Sequence, residues 1–156
     1  MEIVEKCFLK FGAQSALVRK FQIKSIQRLA SLKDSNAELD LELVEASLNT
    51  IISSLQDKET IVRWSSAKGI GRTCHHLSTE MTSSVVDLLI DRFNNAEPLE
   101  STFVWHGLCL SFGELARRRI LPCEFIPRIL DCIEHVHFPY IGACIRLQKR
   151  KLFSRQ

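Results

Sequence analysis

Residues 57–72, Asp57-Lys58-Glu59-Thr60-Ile61-Val62-Arg63-Trp64-Ser65-Ser66-Ala67-Lys68-Gly69-Ile70-Gly71-Arg72, read as a turn followed by a helix whose apolar positions are broken up by small residues. A related pattern returns 42 residues further on. The shift sets Val62 over Val104, Ala67 over Cys109, Ile70 over Phe112, Gly71 over Gly113 and, in the following helix, Leu88 over Leu130. Identity is modest, but small residues fall on small ones and large on large. A period of this length is that of stacked helical hairpins. One hairpin cannot cover its own apolar face, so neighbours must stack on it. The expected fold is therefore all-α, a short HEAT- or armadillo-like solenoid. Such arrays work by holding another protein, which favours a binding module over an enzyme.

The helical pattern can be followed along most of the chain. Residues 2–11 are a short candidate helix that stops near Gly12. From Ser15 or Ala16 to about Leu32, the residues Leu17, Val18, Phe21, Ile23, Ile26, Leu29 and Ala30 recur at helical spacing. Lys33 to Asn36 reads as a loop, and a helix from Asp40 to Gln56 carries Leu41, Val44, Leu48, Ile51, Ile52 and Leu55 on one stripe. Asp57 is placed to cap the next helix by accepting the amide hydrogen of Glu59 or Thr60. That helix runs to Cys74 or His76, with Ile61, Trp64, Ala67 and Ile70 expected to cover adjoining elements. Ser78 or Thr79 starts a partner helix through Phe93, with Met81, Val85, Leu88, Leu89 and Phe93 inward. Residues 94–98 end in Pro98 and form a break. A helix from Ser101 and one after Pro122 repeat the cycle, for about seven helices in all. His137 to Tyr140 interrupt helix, and 141–147 begin another that lacks a partner. A half repeat leaves apolar surface uncapped, so the pattern implies a piece of a longer array or assembly with another protein.

Composition excludes several classes. The 156 residues are 46% apolar, with six glycines and four prolines, which is globular rather than disordered or collagen-like. No apolar run is long enough to cross a bilayer, and the acidic opening Met1 to Lys6 does not read as an export signal. Six scattered cysteines (Cys7, Cys74, Cys109, Cys123, Cys132, Cys144) without an export signal are expected to be reduced thiols. The net charge of +3 belongs to the tail. Arg146, Lys149, Arg150, Lys151 and Arg155 are uncompensated in residues 146–156, which leaves −2 for residues 1–145. The chain thus divides into a repeat domain, 1–145, and a basic tail, 146–156. The tail and Arg117-Arg118-Arg119 allow a nucleic-acid-associated reading, but the three arginines fall at a helix C-terminus, where positive charge is favourable without any ligand.

Chemistry-bearing groups are sparse. Cys132, His135, His137 and Cys144, or Cys74-His75-His76, have zinc-binding atoms without a standard spacing, so no metal site is expected. His106 and Glu114 are two turns apart, with no nucleophile fixed beside them. Gly69-Ile70-Gly71 lacks the lysine and hydroxyl of a phosphate loop. Tight helix crossing explains it, as it explains Ala67, Gly107 and Gly113. Asp57 and Arg63 fit structural bonding across the stack better than partner contacts. Trp64 and Trp105 are expected to pack between repeats, each indole nitrogen finding an acceptor.

The run Asp57 to Arg72 resembles the tubulin-folding cofactor D family of helical-repeat chaperones. So do Trp105-His106-Gly107-Leu108-Cys109-Leu110, continuing to Glu114-Leu115-Ala116-Arg117-Arg118 and Leu121-Pro122, and upstream Leu17-Val18-Arg19-Lys20-Phe21 with Ile26-Gln27-Arg28-Leu29. The likeness covers about residues 15–145 of a much longer family chain. The linker at 33–42 is shorter than in relatives, and the stretch after Cys144 departs from the family pattern. The resemblance implies a cytoplasmic, microtubule-associated chaperone or scaffold that binds beta-tubulin and assists heterodimer assembly with alpha-tubulin. It also implies work alongside tubulin cofactors C and E and an ADP-ribosylation-factor-like small GTPase, the cofactors together stimulating GTP hydrolysis by tubulin. No catalytic site and no small-molecule cofactor are expected. The motif residues it carries over are Asp57, Arg63, Trp64, Ala67, Gly69, Gly71, Trp105, Gly107, Cys109 and Glu114. A generic helical adaptor or a non-functional truncated relative is the alternative.

Overall fold

A computed structural model describes residues 15–30, 41–96 and 101–135. Six α-helices occur among them: α1 Ala16–Ala30, α2 Leu41–Ser53, α3 Thr60–Cys74, α4 Thr79–Asn94, α5 Ser101–Arg117 and α6 Ile126–His135. The stripe expected to be helical through Gln56 tightens to a 3-10 turn at Ser54–Gln56, and a second such turn, Cys123–Phe125, leads into α6. The expected helix at 2–11, the loop at 33–36, the interruption at 137–140, the helical start at 141–147 and the basic tail lie outside the described residues.

The helices form two layers. Helix α3 lies between α1 and α5, and the three make one layer; α2 packs on α3, and α4 meets α5 and α6. Bonds within a layer join residues about one period apart. Arg19 reaches Asp57 and Gln27 reaches Ser65, 38 residues on; Arg63 reaches His106, 43 on; Arg128 reaches Asp87, 41 back. Each helix of a layer therefore sits beside its equivalent in the next hairpin, the stacking that the 42-residue shift anticipates.

The core fills the space between the layers. Ile51, Ile52 and Leu55 come from α2 and its turn, Ile70 from α3, Val86, Leu89 and Ile90 from α4, and Leu108 and Leu115 from α5; each is at most 2% exposed. Burying a side chain of this size contributes roughly 1.5–3 kcal/mol. Helix α4 shows how periodicity selects the face: Thr82, Val85, Val86, Leu89, Ile90 and Phe93 are buried, at three- and four-residue steps. Leu88, expected inward, is 40% exposed, because the stripe runs one residue away from it, and Met81 is half-buried. Ser78 caps α4 by accepting the Met81 amide at 3.3 Å.

Helix α5 ends in a paired-bond turn. The Ile120 amide donates to Leu115 O and the Arg119 amide to Ala116 O, with Arg119 left-handed at φ 59°. Glycine is the usual occupant of that position, and an arginine there stores conformational strain.

Candidate partner-binding surface

Ten of the fifteen residues of α3 are buried, including Ser65, Ser66, Gly69, Gly71 and Thr73. A helix flanked by α1 on one side and α5 on the other must present small groups to both. At Gly69, an added Cβ would stand 2.6 Å from Gln27 Nε2 of α1; at Gly71, 2.7 Å from Glu114 Cγ of α5. Gly107 of α5 is tighter, since a Cβ there would collide with the backbone carbonyl of Leu55. Ala67 is buried in the core, whereas its 42-residue equivalent Cys109 is half-buried.

Polar side chains fasten the layer. Arg19 grips Asp57 with two bonds, Nε to Oδ2 at 2.6 Å and Nη2 to Oδ1 at 2.9 Å, both side chains nearly buried. Asp57 Oδ1 also accepts the Glu59 amide at 2.8 Å. Burial pushes the Asp57 carboxyl up, but the bonds from Arg19 and Glu59 and the charges of Arg19 and Arg63 outweigh it and hold it below its usual range. Arg63 closes the turn before α3, donating Nη1 to Asp57 O at 2.6 Å and Lys58 O at 2.9 Å and Nη2 to Thr60 Oγ1. Its Nε donates to His106 Nδ1 of α5 at 3.0 Å. Burial and the Arg63 charge both keep His106 below its ordinary value, so the imidazole is neutral and accepts at Nδ1. Gln27 donates to Ser65 O at 2.7 Å and accepts from Arg72. At the far end, Glu114 is bonded by Arg117 and Arg118, and those bonds hold its carboxyl low against the opposing effect of burial.

The two tryptophans occupy opposite environments. Trp105 stacks on Phe93, with ring centroids 6.2 Å apart, and donates Nε1 to Phe93 O at 3.1 Å, tying α5 to α4. Trp64, expected between repeats, instead points outward at 52% exposure, as does Ile61 at 45%. The flanks of α3 are taken by serine, glycine and alanine at the crossings and its core side by Val62 and Ile70, so Trp64 and Ile61 are left on the open stripe. Leu17, Val18 and Phe21 of α1 are likewise exposed, contrary to the core role their spacing suggested, whereas Ile23 and Ile26 of the same set are buried, together with Arg19 and Gln27. Phe103 of α5 is exposed as well. A cation lies over each aromatic ring: Lys24 over Phe21, Lys68 over Trp64 at 3.8 Å, and Arg63 over Phe103 at 4.9 Å. The chain alone does not mark these rings and cations as one surface, though the absence of acids from α1 and α3 is legible in it.

No group of three or more His, Cys, Asp or Glu side chains able to hold a metal occurs among the described residues. Burial pushes the thiols of Cys74 and Cys109 up to about 12, so neither is a nucleophile near neutrality. Cys74, Cys109, Cys123 and Cys132 are free thiols. No helix of the described residues is long and apolar enough to cross a membrane.

Residues 9–139 match the family described as "Tubulin-specific chaperone D-like, ARM repeats". The chain is 43% identical over 86 residues to the "Tubulin-specific chaperone D" of Dictyostelium discoideum, covering 51% of this chain and 5% of that protein. It is 29% identical over 146 residues to the "Tubulin-folding cofactor D" of Schizosaccharomyces pombe, covering 83% of this chain and 13% of the relative. It therefore spans only a small part of the length of either. No solved structure matches. With the matched residues taking in all six helices and most of the sequence, the chain belongs to the tubulin-specific chaperone D-like family of armadillo repeats.

Proposed function

We propose that this chain is a tubulin-binding segment of the cofactor D type, a chaperone or scaffold that holds beta-tubulin by surface complementarity while the heterodimer with alpha-tubulin is assembled. The observation that carries the reading is the exposure of Ile61 and Trp64 on α3, a helix that buries its serines and glycines together with Val62, Ala67, Ile70 and Cys74. Large apolar side chains exposed on neighbouring helices, with Phe21 on α1 and Phe103 on α5, suit a protein partner, and a rigid aromatic such as Trp64 is the kind of residue that anchors one. The names of the relatives point to tubulin as that partner. Tubulin cofactors C and E and an ADP-ribosylation-factor-like small GTPase are further partners by the same family argument. Residues 1–145 form the repeat body in this reading, with 146–156 an appended basic tail. GTPase stimulation finds no support on the described surface and is not part of it.

The test is retention of purified tubulin by the immobilised chain. Tubulin is expected to be retained, and Trp64→Asp with Phe21→Ser to reduce retention at least tenfold while leaving the circular dichroism unchanged. Retention no greater than on an unrelated helical-repeat protein would return the chain to the generic-adaptor or non-functional reading. Loss only when the tail cations are neutralised would shift the site to residues 146–156.

A further inference from the structure

The layer that carries the exposed rings is also charge-segregated. Helix α1 bears Arg19, Lys20, Lys24 and Arg28 and no acid; α3 bears Arg63, Lys68 and Arg72 and no acid. The opposite layer reverses this. Glu42 and Glu45 lie on α2, Glu80, Asp87 and Asp91 on α4, and Asp131 and Glu134 on α6, against two arginines. A solvated helix surface ordinarily mixes both signs, which limits self-repulsion and adds i,i+4 pairs. Here the cations of one face are collected around its apolar side chains. Lys24 and Lys68 are placed over rings, and neither has a carboxylate within ion-pair reach among the described residues. Among the described residues, the acids on α5 and on the turn before α3 are Asp57, engaged by Arg19, Glu114, engaged by Arg117 and Arg118, and Glu59.

From this geometry we infer that the α1/α3/α5 face takes an acidic, aromatic-bearing polypeptide segment of its partner, with carboxylates meeting Lys24 and Lys68 and an apolar side chain meeting Trp64. The inference rests on the partner-facing reading of this surface. The complementarity is of two kinds at once. Ammonium groups with no carboxylate in reach among the described residues call for one, and the exposed Phe21, Ile61 and Trp64 call for apolar contact that a bare polyanion does not supply. The adjacent helices α1 and α3 each place a lysine over an exposed ring, so the same pair of contacts is offered at two successive steps. An extended segment can use these in turn.

The experiment is fluorescence anisotropy of a labelled twenty-residue peptide of glutamate, glycine and phenylalanine with the full chain at low and moderate salt. Controls are the same peptide with glutamine for glutamate and a single-stranded DNA of matched charge. Binding of the acidic peptide, weakened at least tenfold by Lys24→Glu with Lys68→Glu and at least threefold by Trp64→Ala, supports the inference. Equal binding of the glutamine peptide, equal or tighter binding of the DNA, or insensitivity to all three substitutions overturns it. Concentration-dependent self-association abolished by the two lysine substitutions also overturns it, by giving the face to the acidic layer of a second copy. Tubulin retention that ignores Lys24→Glu and Lys68→Glu sinks this inference and leaves the proposed function standing. Peptide binding without tubulin retention does the reverse.

Discussion

Arg19 and Asp57, 38 residues apart, meet in a two-bond ion pair with side chains 6% and 10% exposed, and this pair joins α1 to the turn that starts α3. Removing one member of a buried pair costs more than the pair contributes, because the remaining charge stays in a poorly solvated place. Asp57→Ala is therefore expected to destabilise the chain by about 3 kcal/mol, and Arg19→Met with Asp57→Leu by much less. Urea denaturation of the three proteins measures it; equal losses in both variants would contradict the buried-charge account. The Asp57 carboxyl is held below its unfolded value near 3.8, so its stabilisation is complete above that pH and is lost as the pH falls through the folded value.

His106 adds a pH dependence in a milder range. Its folded value lies below 6.5, so the unfolded chain takes up the proton first. Stability is full above about pH 6.5 and falls on acidification through the folded value, as Nδ1 ceases to accept from Arg63. His106→Asn should flatten the stability profile between pH 7 and 5. An imidazole NMR titration with a midpoint above 6.5 would rule the argument out.

Gly107 faces the backbone of the turn after α2, which cannot rotate away as a side chain can. Gly107→Ala should cost about 2 kcal/mol or more despite alanine's better helix propensity. Gly71→Ala meets only the movable side chains of Glu114 and Arg118 and should cost less. Thermal melts of both variants give the order, and the reverse order would refute it.

The left-handed Arg119 predicts a gain. Arg119→Gly removes the Cβ penalty at the end of α5 and should stabilise by roughly 0.5–1 kcal/mol. A loss in the same urea experiment would mean that the arginine side chain contributes more than its backbone costs.

The tryptophans should separate by both fluorescence and stability. Trp105→Ala removes the stacking on Phe93 and the bond to its carbonyl, and should cost about 3 kcal/mol. Trp64→Ala should stay within about 1 kcal/mol, the scale of an exposed ring with one cation over it. With only two tryptophans in the chain, acrylamide quenching of each single-tryptophan variant reports exposure directly. Strong quenching of Trp105 and protection of Trp64 would invert the assignment.

Some of this architecture could be read directly. The α2 stripe of Val44, Leu48, Ile51, Ile52 and Leu55 is buried as its spacing requires, because a helix with one apolar face has one way to turn. The Asp57 bond to the Glu59 amide and the Ser78 cap of α4 are local, decided within three residues. The exposed stripe on α1 and α3 is not legible in the same way. Leu17, Phe21, Ile61 and Trp64 resemble core residues by type, and only the identity of the neighbouring helix shows that their positions are open.

Local chemistry in the chain determined where helices start, their recurrence at about 42 residues, and the placing of cations on α1 and α3 and acids on α2, α4 and α6. Tertiary packing decided which side of each helix is inside. A helix held on two flanks is buried according to how closely its neighbours approach, so Gly69, Gly71 and Ser65 went inward and Trp64 outward. That choice depends on residues 38 to 43 positions away, beyond the reach of any pattern local to α3.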